Sequence, residues 1–171
     1  MRIYKSIVII IICIILCTGC TKGGGSFLDY QNNIKAAEVR WSIGEKEYSG
    51  KIDYTPEGVV FTAATPVEIE GTTITYTQTG AEVSVGSVRL SLPDNMGREV
   101  YRIARSLSFE KSEMKGAGDG SGSDTAVRFE TELYGSVTEY NVIYSDDKIP
   151  VSAVIKWDGG EMSVDYISFG E

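Results

Sequence analysis

The stretch VRWSIGEKEYSGKIDYTPEGVVF, residues 39–61, decides the fold. In it Val39, Trp41 and Ile43 alternate with Arg40 and Ser42. That is the period of a strand with one buried face. Residues 44–47 interrupt the alternation as a turn. A second strand follows over 48–54, with Tyr48, Ile52 and Tyr54 on one parity. Thr55-Pro56-Glu57-Gly58 turns the chain again, because proline presets φ and glycine supplies a positive φ. Val59 opens a third strand that runs to Ala63. Strands joined by such short turns form an antiparallel meander.

The same period extends outward from this stretch. Ile34 and Ala37 lead into it. Beyond Pro66, the apolar residues Val67, Ile69, Ile74 and Tyr76 predict a further strand broken near Gly71, with Glu68 and Glu70 sharing one face. Residues 78–81 turn it. Val83, Val85, Val88, Leu90 and Leu92 continue the pattern, with a bend at Gly86. The period then changes once. Met96, Val100, Ile103, Ala104 and Leu107 recur at helical spacing, which predicts an amphipathic helix over 96–108. Asp94 or Asn95 caps it. Arg98, Arg102 and Arg105 fall on its outer, solvated face. Residues 111–124 contain KGAGDGSGSD, have no periodicity and read as a mobile loop or lid. Four strands over 125–133, 139–144, 150–157 and 161–169 close the domain. The expected fold is α+β, mainly β: a curved antiparallel sheet, a half-barrel of about ten strands, with one main helix packed on its concave face.

The N-terminus sets where this domain works. Arg2 and Lys5 precede a nearly unbroken apolar run over 7–16, and Thr18-Gly19 bring small residues up to Cys20. This is the layout of a secretory leader. The run falls short of the roughly 17–25 residues of a comfortable membrane span. The segment resembles the lipobox of bacterial lipoprotein precursors, with Cys17 standing where an aliphatic residue is usual. The resemblance implies removal of residues 1–19 and a diacylglyceryl thioether on Cys20, hence a palmitate-type anchor in the cell membrane. More than one acyl chain holds a protein to a bilayer stably. Residues 20–26 then form a lipidated flexible tether, and residues 27–171 form a single domain.

Composition excludes several functions. The leader carries two of the sixteen basic residues and no acidic one, so its removal leaves a net charge of −10. A domain this acidic is a poor partner for nucleic acid. The cysteines of the whole sequence are Cys13, Cys17 and Cys20, so the mature domain keeps no thiol for a disulfide. There is no histidine, which removes the commonest general base and zinc ligand. With neither histidine nor free cysteine, nucleophile–base catalysis has no support. Gly116, Gly118, Gly120 and Gly122 do not follow a strand and open a helix, as a phosphate-binding fingerprint must. Asp119, Ser121, Ser123, Thr125 and Glu130 match five places of a calcium loop, but Asp124 occupies its glycine place. No cofactor and no metal site is expected, and the chain reads as a non-enzyme. The remote alternative is a hydrolase using Glu68 and Glu70 as paired carboxylates.

The order of parts is lipobox, tether, meander, one helix, Gly-rich segment and returning strands. It includes residues 39–61, PVEIEGTTITYT at 66–77 and IPVSAVIKW at 149–157. This arrangement resembles the prokaryotic lipoprotein-carrier superfamily. That superfamily includes the LolA-like periplasmic lipoprotein chaperones and the mycobacterial lipid-transfer lipoproteins. The resemblance is stronger still to small lipoproteins of Gram-positive bacteria that share the fold. It implies a half-barrel of about eleven strands whose apolar space, between sheet and helices, accepts acyl chains. The carriers have more helices than the single long one read here, and none of their functional residues can be matched to a position in this chain.

The first functional expectation is therefore a surface-tethered binding module for an apolar ligand, either a lipid or the acylated end of another lipoprotein. The expected lining is Trp41, Ile43, Phe61, Ile74, Tyr76, Leu90, Phe129, Tyr140, Val142 and Trp157. The same residues can instead simply pack a closed core. The alternative function is an accessory envelope or spore lipoprotein that docks a protein partner through its surface.

Overall fold

The computed structural model describes residues 33–56, 58–77, 80–92, 98–119 and 124–170. The leader, Cys20, the tether and the helix-capping residues 94–95 lie outside them. Eleven strands form one antiparallel sheet: β1 (Ala36–Ile43), β2 (Lys46–Thr55), β3 (Gly58–Thr65), β4 (Thr73–Thr77), β5 (Gly80–Val85), β6 (Val88–Leu92), β7 (Met114–Asp119), β8 (Thr125–Leu133), β9 (Ser136–Tyr144), β10 (Pro150–Trp157) and β11 (Gly160–Gly170). One α-helix, α1 (Arg98–Ser106), interrupts the strands after β6. The sheet order is β6-β5-β4-β3-β2-β1-β11-β10-β9-β8-β7. Each chain neighbour is thus a sheet neighbour except β6 and β7, which form the two edges, and β1 meets β11 in the middle.

Register puts one parity of every strand on the helix side. Across the first half, Ala37, Ile52, Phe61, Ile74, Val83 and Leu90 stand in one row. Across the second half, Trp41, Val164, Ala153, Val142 and Val127 form another. The opposite face carries Glu38, Arg40, Thr75, Glu82, Arg89, Arg128, Glu130 and Lys156. This alternation explains why a sheet with one covered face forms.

The sheet is strongly curved, and the rings show by how much. In sheet order, β4 and β8 are seven strand spacings apart. At roughly 4.8 Å per spacing, a flat sheet would hold them more than 30 Å apart. Yet Tyr101 of α1 lies with its ring centroid 6.2 Å from Tyr76 on β4 and 6.1 Å from Tyr134 in the β8–β9 turn. The two wings therefore curl round the helix.

Inside this wrap, Val100, Ile103, Ala104 and Leu107 are buried against Val39, Ile52, Phe61, Ile155, Met162 and Val164. Phe129 is stacked between Phe109 at 4.2 Å and Tyr140 at 4.4 Å. Three hydrogen bonds fix the end of the helix. Tyr54 Oη donates to the carbonyl of Ala104 at 2.8 Å. Ser106 Oγ donates to the Ile103 carbonyl and accepts from Tyr166 Oη.

Three expectations are corrected. The strand expected through Val67 and Ile69 is instead a 3-10 turn, Val67–Ile69, with Val67 74% exposed. Glu68 and Glu70 thus lie in an exposed turn and not side by side on a strand. The segment read as a lid forms a 3-10 turn, Lys111–Glu113, and then β7, which pairs with β8. Glycines at alternate positions weaken strand propensity, but the β8 edge supplies the partner that overrides it. Residues 120–123 of that segment lie outside the described residues. The outer face of α1 is not solvated: Arg102 is 4% exposed, and Arg105 pairs with Glu113. No helix among the described residues is long and apolar enough to cross a membrane.

Candidate functional site

All ten proposed lining residues stand on the helix-facing side of the sheet, and all but Leu90 belong to one hydrophobic core or pack against it. Phe129, Tyr140 and Val142 are buried under the C-terminal wing; Trp41, Phe61 and Tyr76 are buried in the N-terminal half. Ile43, Ile74 and Trp157 are half-buried at the margins. Trp41 packs on Tyr48 in a stacked pair with centroids 5.4 Å apart, and meets Phe61 edge-on at 5.3 Å. These rings fill the space between one another.

Leu90 differs. It belongs to the same row as Phe61 and Ile74 but is 59% exposed. β6 is the edge strand, whereas α1 packs on β3 and, through Tyr101, meets Tyr76 on β4. Val85 and Val88, paired across the β5–β6 turn, are each 56% exposed on the same side. Ala81 and Val83 continue this surface, half-buried. The back of the wing carries Glu82, Ser84, Arg89 and Ser91. The wing thus has the alternation of a half-buried sheet, yet its apolar side is open.

A second feature lies beneath α1. The guanidinium of Arg102 stacks on Trp157 at 4.5 Å and sits 5.6 Å from the Tyr134 ring; Arg98 covers Tyr134 at 4.4 Å. Tyr134 holds a left-handed backbone, φ 56°, at the β8–β9 turn, which turns its ring toward the helix arginines. Trp157 can lie flat because its neighbour across the β10–β11 hairpin is Gly160. A Cβ there would approach the indole to 2.5 Å. Near this stack, Arg102 Nε, Thr138 Oγ1 and Tyr140 Oη are buried with no hydrogen-bond partner among the described residues. Burial pushes the Arg102 pKa down and those of Tyr76, Tyr134 and Tyr140 up. Sequence reasoning missed Arg102 because helical spacing assigns it to solvent. It missed Val85 and Val88 as open surface because their alternation is that of a covered strand.

The hollows of the outer face are of a different character. The larger, about 690 Å³, is lined by Gly116, Gly118, Arg128, Glu130, Glu139 and Lys156 among others. Its charges are largely paired, Lys115 with Glu130 at 3.2 Å and Lys156 with Glu161 at 2.9 Å. Among the described residues, no group of three acidic, histidine or cysteine side chains is placed to hold a metal ion.

No family model and no curated relative matches the chain. Solved structures do. The lipoprotein LppX of Mycobacterium tuberculosis is similar with a TM-score of 0.46 and 13% identity, over 84% of this chain and 91% of that one. An uncharacterized conserved protein of Thermus thermophilus is similar with a TM-score of 0.48 and 15% identity, over 88% of each chain. A LolA-superfamily protein of Nitrosomonas europaea is similar with a TM-score of 0.43 and 10% identity, over 84% of this chain and 91% of that one. These are similarities of chain path.

Proposed function

We propose that this chain is a lipid-anchored protein of the outer face of the cell membrane, and that its domain is a non-enzymatic binding module for an apolar ligand. The ligand class is an acyl chain, carried by a lipid or by another lipoprotein. The observation that supports this is the open apolar side of the β4–β6 wing, where Val85, Val88 and Leu90 are each more than half exposed. That surface runs continuously into the aromatic interior through Ile74 and Tyr76. A flexible chain of methylenes is the ligand that such a strip accommodates without polar partners. The lipobox-like segment ending at Cys20 supplies the anchor.

The test is to extract the full chain from membranes in mild detergent and analyse bound lipid by mass spectrometry. The expected result is acyl lipid retained near equimolar amounts. Absence of lipid together with a protein that co-purifies through the wing would favour the accessory docking role and refute the carrier one. The anchor is tested separately: labelled palmitate enters the wild-type chain, and Cys20→Ser abolishes both labelling and membrane fractionation.

A further inference from the structure

We propose that Arg102 is the receptor for an oxyanion carried on the apolar ligand, a carboxylate or a phosphate. The inference deepens the acyl-binding reading and rests on it.

Arg102 is 4% exposed, and no carboxylate lies within ion-pair distance of it among the described residues. A lone buried charge is costly unless a counter-charge and hydrogen bonds compensate it. Trp157 occupies one face of the guanidinium and Tyr134 adds a second ring contact. Stacking occupies the faces of the group and leaves its N–H donors to find acceptors at the edge. The Nε–H is buried with no partner among the described residues.

The hydroxyls nearby have the complementary chemistry. Thr138 stands directly opposite Trp157 in the β9–β10 register, and Tyr140 lies two residues further along the same face. Both hydroxyls are buried with no hydrogen-bond partner among the described residues. Tyr140 is close enough to Arg102 for the two to influence each other's titration. Glu99 lies one turn back on α1 and also favours the charged form of Arg102, whereas Arg98 opposes it. Two buried hydroxyls beside a buried guanidinium whose Nε–H has no acceptor among the described residues describe a site for a singly charged acceptor. Carboxylate and phosphate oxygens accept from a guanidinium edge in pairs, which a neutral ester or alcohol cannot reproduce.

The experiment uses the full chain in mild detergent and displacement of a fluorescent acyl probe. The competitors are palmitic acid, hexadecyl phosphate and methyl palmitate. The wild-type chain is expected to prefer one acidic competitor over the ester by at least about tenfold, the equivalent of one charged hydrogen bond. Whichever acid binds tighter identifies the oxyanion. Arg102→Gln is expected to bring the preference close to unity while methyl palmitate still binds. Tyr140→Phe keeps the ring stack, removes only the hydroxyl, and should reduce the preference severalfold. An unchanged preference in a folded Arg102→Gln chain, with Tyr140→Phe also unchanged, overturns the anion site but leaves the acyl reading standing. Failure of all three competitors to displace the probe overturns both.

Discussion

The open wing makes a quantitative demand. Replace Val85, Val88 and Leu90 together with threonine. Threonine keeps the strand preference of a β-branched residue, so the sheet itself should tolerate the change. The three side chains are already 56%, 56% and 59% exposed, so little native packing is lost. Surface substitutions of this kind usually shift stability by no more than about 0.5 kcal/mol each. Ligand binding should respond quite differently. Fully burying one such side chain is worth about 1.5–3 kcal/mol, so covering the exposed half with an acyl chain returns about 1 kcal/mol per residue. Three residues together predict a loss of about 3 kcal/mol, or a Kd weakened about 100-fold. The assay is displacement of a fluorescent acyl probe, run beside urea denaturation of the same preparation. A triple variant with wild-type stability and wild-type affinity would refute the wing as the ligand surface. A loss of several kcal/mol in stability would refute the premise that these residues are free in the folded protein.

Other substitutions probe the interior. Phe129→Ala removes the middle ring of the Phe109–Phe129–Tyr140 stack and should cost about 3–5 kcal/mol in urea unfolding. Gly50→Ala should destabilise by about 1–3 kcal/mol, because its Cβ would overlap the Phe61 ring and the Thr62 carbonyl. Arg102→Met should leave stability unchanged or raise it by about 1 kcal/mol, since it trades an uncompensated buried charge for a thioether of similar length; strong destabilisation would mean that stacking on Trp157 outweighs desolvation. For Glu113, burial alone would raise the carboxyl pKa. Hydrogen bonds from the Glu110 amide and from Thr131, with the Arg105 guanidinium, outweigh it and hold the value below the ordinary carboxylate range. Its stabilisation is therefore full above the unfolded pKa of about 4.3 and lost as pH falls through the lower folded value. Glu113→Gln should flatten that part of the acid limb in a pH series of thermal melts.

The strands were legible because alternation is a local property. Val39, Trp41 and Ile43 announce their face within a few residues, and Pro56-Glu57-Gly58 announces the turn. The returning strands over 125–133 and 150–157 coincide with β8 and β10 for the same reason. Where local propensity was weak or ambiguous, a neighbour decided. MKGAGD became a strand because β8 offered an edge, and Val67–Ile69 became a 3-10 turn although its residues favour strands. The candidate lining was legible as a face, since its parity is set by period two. Which part of that face stays open was not legible, because Phe61 and Leu90 share a row and only the reach of α1 separates them.

What the sequence determined by itself is the mainly β domain, its one main helix, its helix-facing parity and the absence of histidine and of a domain thiol beyond Cys20. What the tertiary structure decided is where charge and exposure end up. Arg102 lies on the side of α1 that helical spacing gives to water, yet Trp157 and Tyr134, far along the chain, close over it. Exposure depends on which wing curls round the helix, and curvature accumulates over eleven strands; no window of neighbouring residues contains it.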